Sequence, residues 1–405
     1  MKSILSVIVL MLSFVGGAGA QSSGLGKAIR IGILNDRSGP YADATGEGSA
    51  IAARMAATEF GNKIDGVPIE ILVGDHMNKP DIGSSIARRW FDLEGVEVVA
   101  DITNSGVGLA VTGLAKDRSK IVLNNSGSSD FTGKDCTPNS VQWNFNTYAV
   151  AKTLVTPLVK DKMDSWFIIG VDYAYGRALA ASLRQVIEGG GGKVVGEVLA
   201  PINTPDFSSF LLQAKASGAK VIALANAGND LTTAVKQAVE FNITKNQMLV
   251  LAYSINLTEV EAMGLELSQG LLTTTAFQWT KSAATRQWAK QFAEQAGKLP
   301  SSTQAAVYSQ VRHYLKAVAA SHTVETRTVM AKMRELPVND AYTENGRLRE
   351  DGQMIHDQLL VRVKKPAESI EHGDYLSIVE TVKGDQAYQP LSESVCPLVA
   401  KKAGN

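Results

Sequence analysis

The sequence predicts an α/β protein built as two doubly wound parallel-sheet units. Three observations carry this. Strand-length apolar runs alternate with stretches of helical spacing along nearly the whole chain. The alternation breaks near Asn146 and then begins again. At 405 residues the chain also exceeds a typical single core, so two units are expected.

The first unit opens with residues 29–34, a strand that runs into Asn35-Asp36-Arg37-Ser38-Gly39-Pro40-Tyr41. Residues 48–60 are alanine-rich with helical spacing, 69–74 form a second strand, and 82–93 a helix with Asp81 as its N-cap. A third strand at 98–102 ends in Thr103-Asn104-Ser105-Gly106, followed by a helix at 107–117. The strand at 120–123 ends in Asn124-Asn125-Ser126-Gly127-Ser128-Ser129. Strands separated by helices imply a right-handed parallel layer.

Residues 143–148, Trp-Asn-Phe-Asn-Thr-Tyr, interrupt this pattern, and a helix at 149–159 leads into the second unit. Its strands fall at 166–170, 193–198, 221–225, 248–251 and 270–274, with helices at 177–188, 207–216 and 231–241. Three further helices follow, at 282–296, 303–320 and 325–336. The tail alternates polar and apolar residues at 356–363 and 375–382, as strands of an edge or hinge do.

Residues 1–20 read as a secretory signal: Lys2, an apolar run at 4–15 too short to span a bilayer, and Ala18-Gly19-Ala20 before Gln21. Export to the periplasm is therefore expected. In that oxidising compartment a single disulfide is the simplest use of Cys136 and Cys396. No His or second Cys stands at metal-ligand spacing beside either, so no metal is expected. Forty basic and forty acidic side chains cancel, leaving no field to attract nucleic acid.

Catalytic signatures are missing from the sequence. It has no Gly-x-Ser-x-Gly elbow, His-Glu-x-x-His, Walker loop, or Gly-x-Gly-x-x-Gly closing the first strand. Binding is expected rather than catalysis, with no cofactor. Both polar turns of the first unit follow strand carboxyl ends, where parallel sheets place ligands, and the first opens a helix suited to an anion. Asn104, Ser105, Gly106, Asn125, Ser126, Gly127 and Ser128 are candidates to hold a carboxylate; the plainer reading is that these are good turn residues. Tyr173, Tyr175 and Tyr253 end strands of the second unit and would form a facing aromatic wall, with Asn226, Asn229 and Asp230 nearby. Tyr41 and Tyr148 join the candidate ligand contacts.

With the signal, the two units and these turns together, the chain resembles the type I periplasmic solute-binding proteins of ABC importers, in the leucine/isoleucine/valine-binding branch. The likeness runs from Ile31-Gly32-Ile33-Leu34 through Asp172-Tyr173-Ala174-Tyr175-Gly176 to Val361. It implies a three-segment hinge, with lobe 1 at 28–146 plus 276–344 and lobe 2 at 147–275 plus 345–405. It also implies a monomer that closes on a small ligand and docks on a permease in the cytoplasmic membrane. The family's acidic partner for an α-ammonium falls near Tyr253-Ser254, where the sequence has no carboxylate, and Asp230 is the nearby substitute. The 143–148 segment resembles an aromatic-acid-binding subgroup. The expected ligand is therefore an aromatic carboxylate, with an amino-acid importer protein and a sensory ligand-binding module as alternatives.

Overall fold

The computed structural model describes residues 24–400, so the expected signal at 1–20 lies outside the described residues. The first lobe begins with β1 (Ile29–Asn35), α1 (Gly46–Thr58), β2 (Lys63–Ile64), β3 (Val67–Asp75), α2 (Pro80–Asp92), β4 (Val98–Ile102), α3 (Ser105–Asp117), β5 (Ile121–Asn124) and β6 (Ser140–Gln142). The second lobe contains α4 (Thr147–Lys160), β7 (Ser165–Val171), α5 (Ala174–Gly189), β8 (Lys193–Ala200), α6 (Ser208–Ala216), β9 (Val221–Ala225), α7 (Gly228–Glu240), β10 (Met248–Ser254), α8 (Leu257–Met263), α9 (Leu265–Ser268) and β11 (Leu272–Thr275). Then come α10 (Ala283–Ala296), α11 (Ser302–Ser321), α12 (Thr326–Glu335), β12 (Arg347–Leu348), β13 (Met354–Ile355), β14 (Gln358–Val363), β15 (Leu376–Val382) and α13 (Gly384–Ala387).

The first sheet has strand order β2-β3-β1-β4-β5-β6, parallel except for the β2–β3 hairpin. The second has order β15-β14-β11-β10-β9-β7-β8, with β14 and β15 antiparallel at one edge. The tail strands thus extend a parallel sheet into a mixed one. Every residue of β4 and of β9 is buried, as expected of strands covered by helices on both faces. Packing in the first lobe is close enough that Gly32 has no room for a side chain: a Cβ there would lie 2.4 Å from the Trp90 ring. Helices α10 and α11 pack on α1, and Trp288, Phe292 and Tyr308 share a core with β1 and β4.

Helix α2 starts before the expected Asp81 cap. Lys79 is the N-cap, and Pro80, whose fixed φ suits a first helical residue, sets the start. Cys136 and Cys396 are bonded, with Cα atoms 5.7 Å apart, and so fasten the tail beyond β15 to the turn after β5.

The chain passes between the sheets at residues 143–146, 276–282 and 356–357. The third passage lies beyond Asn345 because the β12–β13 hairpin stays with the first sheet, where Gln353 bridges to Gln142. A buried network ties these passages together. His356 Nε2 lies 2.6 Å from the Asn144 carbonyl and 2.8 Å from the Tyr388 hydroxyl, and Tyr342 donates to Asn144 Oδ1 at 2.9 Å. The Tyr342 ring in turn stacks on Phe277.

Burial lowers His356 from the usual imidazole range to about 4. The unfolded chain takes up this proton near pH 6.5, whereas the folded chain resists until about 4. The stability that neutral His356 contributes is therefore full above 6.5 and lost as pH falls toward 4. The stability advantage of wild type over His356→Gln should shrink by about 3 kcal/mol between pH 7 and 4. Urea unfolding at both pH values measures it, and an advantage that does not change with pH would exclude a neutral hinge histidine. Comparing the two proteins removes the background from His76 and His313, also lowered to about 4 by burial, and from Asp101 and Glu259, which burial raises.

Candidate functional site

The carboxyl ends of the two sheets face one another across a small cavity. From the first lobe, the segment after β1 contributes Tyr41, Ala44 and Thr45, β4 leads to Thr103, β5 leads to Asn125 and Gly127, and α11 contributes Thr303. From the second, β7 leads to Tyr173 and Tyr175, β9 to Ala227, and β10 to Tyr253 and Asn256, while Phe145 comes from the first interlobe passage. The cavity they enclose is about 40 Å³. The lobes touch across it: the Tyr41 and Tyr173 hydroxyls are 3.1 Å apart, and Gly127 lies against the Tyr175 ring.

Two features define its chemistry. Phe145, Tyr175 and Tyr253 meet edge to face, with ring centroids 6.2 to 6.5 Å apart, and make an aromatic box. Burial pushes the Tyr41 phenol up to about 12 and raises Tyr173, Tyr175 and Tyr253 as well, so all four are neutral hydrogen-bonding groups near pH 7. The second feature is a convergence of helix starts. Thr45, Tyr173 and Ala227 are the N-caps of α1, α5 and α7, Thr303 is in the first turn of α11, and Thr103 stands just ahead of α3. Each helix start carries about half a positive charge. Among the described residues no Lys or Arg lines the cavity, so this field acts without a competing ion pair.

Of the residues singled out in the sequence, Tyr41, Asn125, Gly127, Tyr173, Tyr175 and Tyr253 are brought together here. The others lie outside the lining, and all but Tyr148 and Asn226 are used in holding their turns. Asn104 caps α3 by accepting from the Val107 N–H at 3.1 Å, and Gly106 is in that helix's first turn. Ser105 Oγ accepts from the Ser128 N–H at 3.4 Å. Ser126 donates to the Ile102 carbonyl at 2.7 Å, and Ser128 Oγ accepts from the Asp130 N–H at 3.3 Å. Asp230 accepts from the Asn203 N–H at 3.1 Å, and Tyr148 lines a separate groove with Lys152 and Glu393. Short polar side chains after a strand satisfy their own loop first. Even Asn125 is fully engaged: its Nδ2 donates to Asp101 at 2.9 Å and the Thr303 carbonyl at 3.3 Å, and its Oδ1 accepts from Gln310 at 2.9 Å.

The unspent groups are elsewhere. Thr103 Oγ1, the Tyr175 hydroxyl and Asn256 Oδ1 are buried without partners in the lining, and both amide atoms of Asn226 and Ser254 Oγ are likewise unpaired just behind it. Native interiors pair nearly all such atoms, so a cluster of unpaired ones marks where a ligand is read. Thr103 is the first residue of the polar turn after β4, one position ahead of the candidates Asn104, Ser105 and Gly106. Thr45, Thr303, Ala44 and Ala227 carry no local signal, because they reach the cavity only through the packing of their helices.

A family model described as a periplasmic binding protein matches residues 28–368. The chain belongs to the periplasmic binding protein family. It is 42% identical to a periplasmic binding protein from Burkholderia mallei, with a TM-score of 0.89 over 92% of this chain and 99% of that one. It is 38% identical to a branched chain amino acid ABC transporter periplasmic ligand-binding protein from Burkholderia xenovorans, with a TM-score of 0.85 over 92% and 100%. A curated relative, the Leu/Ile/Val-binding protein homolog 6 of Brucella suis, is 26% identical over 63% of this chain and 66% of its own length. The fold is also that of an R. palustris solute binding protein in complex with 4-hydroxybenzoate, at 20% identity and a TM-score of 0.79 over 88% and 97%.

In this periplasmic binding protein a carboxylate does stand beside Tyr253, supplied from the helix that follows β10 rather than from the strand end. Glu259 lies in the first turn of α8, 6% exposed, and accepts from the Asn256 N–H at 2.8 Å. Burial raises it to about 7, against the lowering effect of the Asn256 and Tyr253 groups around it. The signal was present in Asn256-Leu257-Thr258-Glu259, the spacing of a helix capping box.

Proposed function

We propose that this protein is the extracytoplasmic solute-binding component of an ABC importer. It holds a small aromatic carboxylate between its lobes and presents the closed form to a permease in the cytoplasmic membrane. The observation that carries the ligand class is the convergence of five helix starts on an aromatic box whose lining, among the described residues, holds no charged side chain. The helix starts and the Thr103 hydroxyl suit the carboxylate, and the box suits a flat ring. Contacts from both lobes favour the closed form in proportion to the ligand's greater affinity for it.

An α-amino acid is the second reading, favoured by Glu259, which could meet an ammonium. A thermal-shift screen separates the two. Benzoate-type acids at a hundredfold excess over Kd should stabilise the protein by about 2.7 kcal/mol, with leucine and phenylalanine giving no shift. A shift with the amino acids alone would replace the first reading by the second. Tyr175→Ala should weaken the aromatic ligand about 10- to 100-fold in calorimetry by opening the box; unchanged affinity would remove Tyr175 from the site.

A further inference from the structure

The second-lobe end of the cavity has a hydrogen-bonding polarity that a bare ring leaves unsatisfied. Three groups make it. Asn256 Nδ2 is spent on the Tyr253 hydroxyl oxygen at 3.4 Å, the Asn256 backbone N–H is spent on Glu259 at 2.8 Å, and the Tyr253 hydroxyl lies within the influence of the Glu259 carboxyl. The groups that hold Glu259 are the backbone N–H groups of Asn256 and Glu259 and the side chains of Asn256 and Tyr253, all of them neutral. The Asn256 and Tyr253 donors therefore point inward, toward the carboxylate. What this corner offers the cavity is an acceptor, Asn256 Oδ1, which is buried and has no partner, in the same lining as the unpaired Tyr175 hydroxyl, which can donate or accept.

We propose that Glu259 turns this end of the pocket into an acceptor site, selecting an aromatic acid that carries a hydroxyl on its ring over the same acid without one. The inference rests on the aromatic-carboxylate reading and adds the substituent. Glu259 acts as a positioning residue through two lining residues: ionised, it draws the Tyr253 proton and fixes Asn256, so that a ligand hydroxyl supplies the missing donor. A site built around a ligand hydrogen bond rejects an analogue that lacks it far more strongly than an apolar pocket rejects a methylene.

The test is calorimetry at pH 8 with benzoate, 4-hydroxybenzoate, 4-methoxybenzoate and phenylalanine. Wild type should bind 4-hydroxybenzoate at least tenfold more tightly than benzoate or the methoxy acid, whose ether oxygen can only accept. Glu259→Gln keeps the side chain's size but offers an N–H to Tyr253, turning the tyrosine proton toward the cavity. It should erase the hydroxyl preference, bringing benzoate and 4-hydroxybenzoate within about twofold of one another, and improve the methoxy acid. If Glu259→Gln does not give a cooperative melt, Tyr253→Phe is measured instead and should likewise lose the preference.

Equal wild-type affinity for benzoate and 4-hydroxybenzoate overturns the inference and leaves the aromatic reading standing, as does an equal loss of both acids in the variant. Binding of phenylalanine in place of all three acids overturns the aromatic reading and the inference with it.

Discussion

Gly127→Val should abolish tight ligand binding while leaving the unliganded protein folded. Gly127 belongs to the first lobe and faces the second. A Cβ built on it would lie 2.5 Å from Tyr175 Cε2 and 2.8 Å from Phe145 Cε2, well inside any real contact. Neither ring can yield easily, since each is buried and packed edge to face with the other and with Tyr253. The lobes must instead stop short of closure, and ligand contacts made only in the closed form are lost. A hundredfold or greater loss in affinity is expected, equivalent to about 2.7 kcal/mol or more. The melting temperature without ligand should fall far less than the affinity, because lobe opening relieves the contact with Tyr175, the nearer of the two rings. Calorimetry with whichever acid binds wild type measures the first quantity and a thermal melt the second. Ligand binding within twofold of wild type would show that closure does not bring Gly127 onto Tyr175.

Asp101→Ala should cost about 2 to 5 kcal/mol of stability, from two buried amides that lose their acceptor. Asp101 is fully buried in β4, where it adopts a left-handed φ of 62° at an irregularity in the pairing with β5. Its carboxyl accepts from Asn35 Nδ2 and from Asn125 Nδ2, each at 2.9 Å. Through Asn125 it also holds Gln310 of α11. Such strain at a non-glycine residue persists only where surroundings compensate, and these hydrogen bonds do so. The variant should also bind ligand more weakly, because Asn125 lines the cavity. Asp101→Asn, which keeps one acceptor oxygen, should recover about half the stability. Denaturant unfolding of the three proteins checks the order; an alanine variant as stable as wild type would refute the role of the network.

The architecture was readable because its signals are local. The apolar run of β9 at 221–225 is a property of five neighbouring residues, and burial on two faces writes it directly into the sequence. The short helix α8 leaves no periodic signal, because seven residues are too few for one, and Glu259 is hidden with it. At the site, the tyrosines at strand ends were legible because an aromatic ring after a strand has few structural uses. The serines and asparagines of the polar turns were ambiguous for the opposite reason. Asn104, Ser126 and Ser128 suit the holding of their own turns as well as the holding of a ligand, and in the structure each holds its turn.

By itself the sequence determined two α/β lobes, the parallel direction of the strands joined through helices and hence the end at which a ligand must sit, since these follow from periodicity and chain order. Only the tertiary structure decided which atoms remain free there. Whether Asn125 offers its amide depends on Asp101, Thr303 and Gln310, and whether a carboxylate stands beside Tyr253 depends on the start of α8. A hydrogen-bonding group has a limited number of partners, and the partners that claim it come from distant parts of the chain. Residue type reports a group's capacity; folding determines how much of it is left for the ligand.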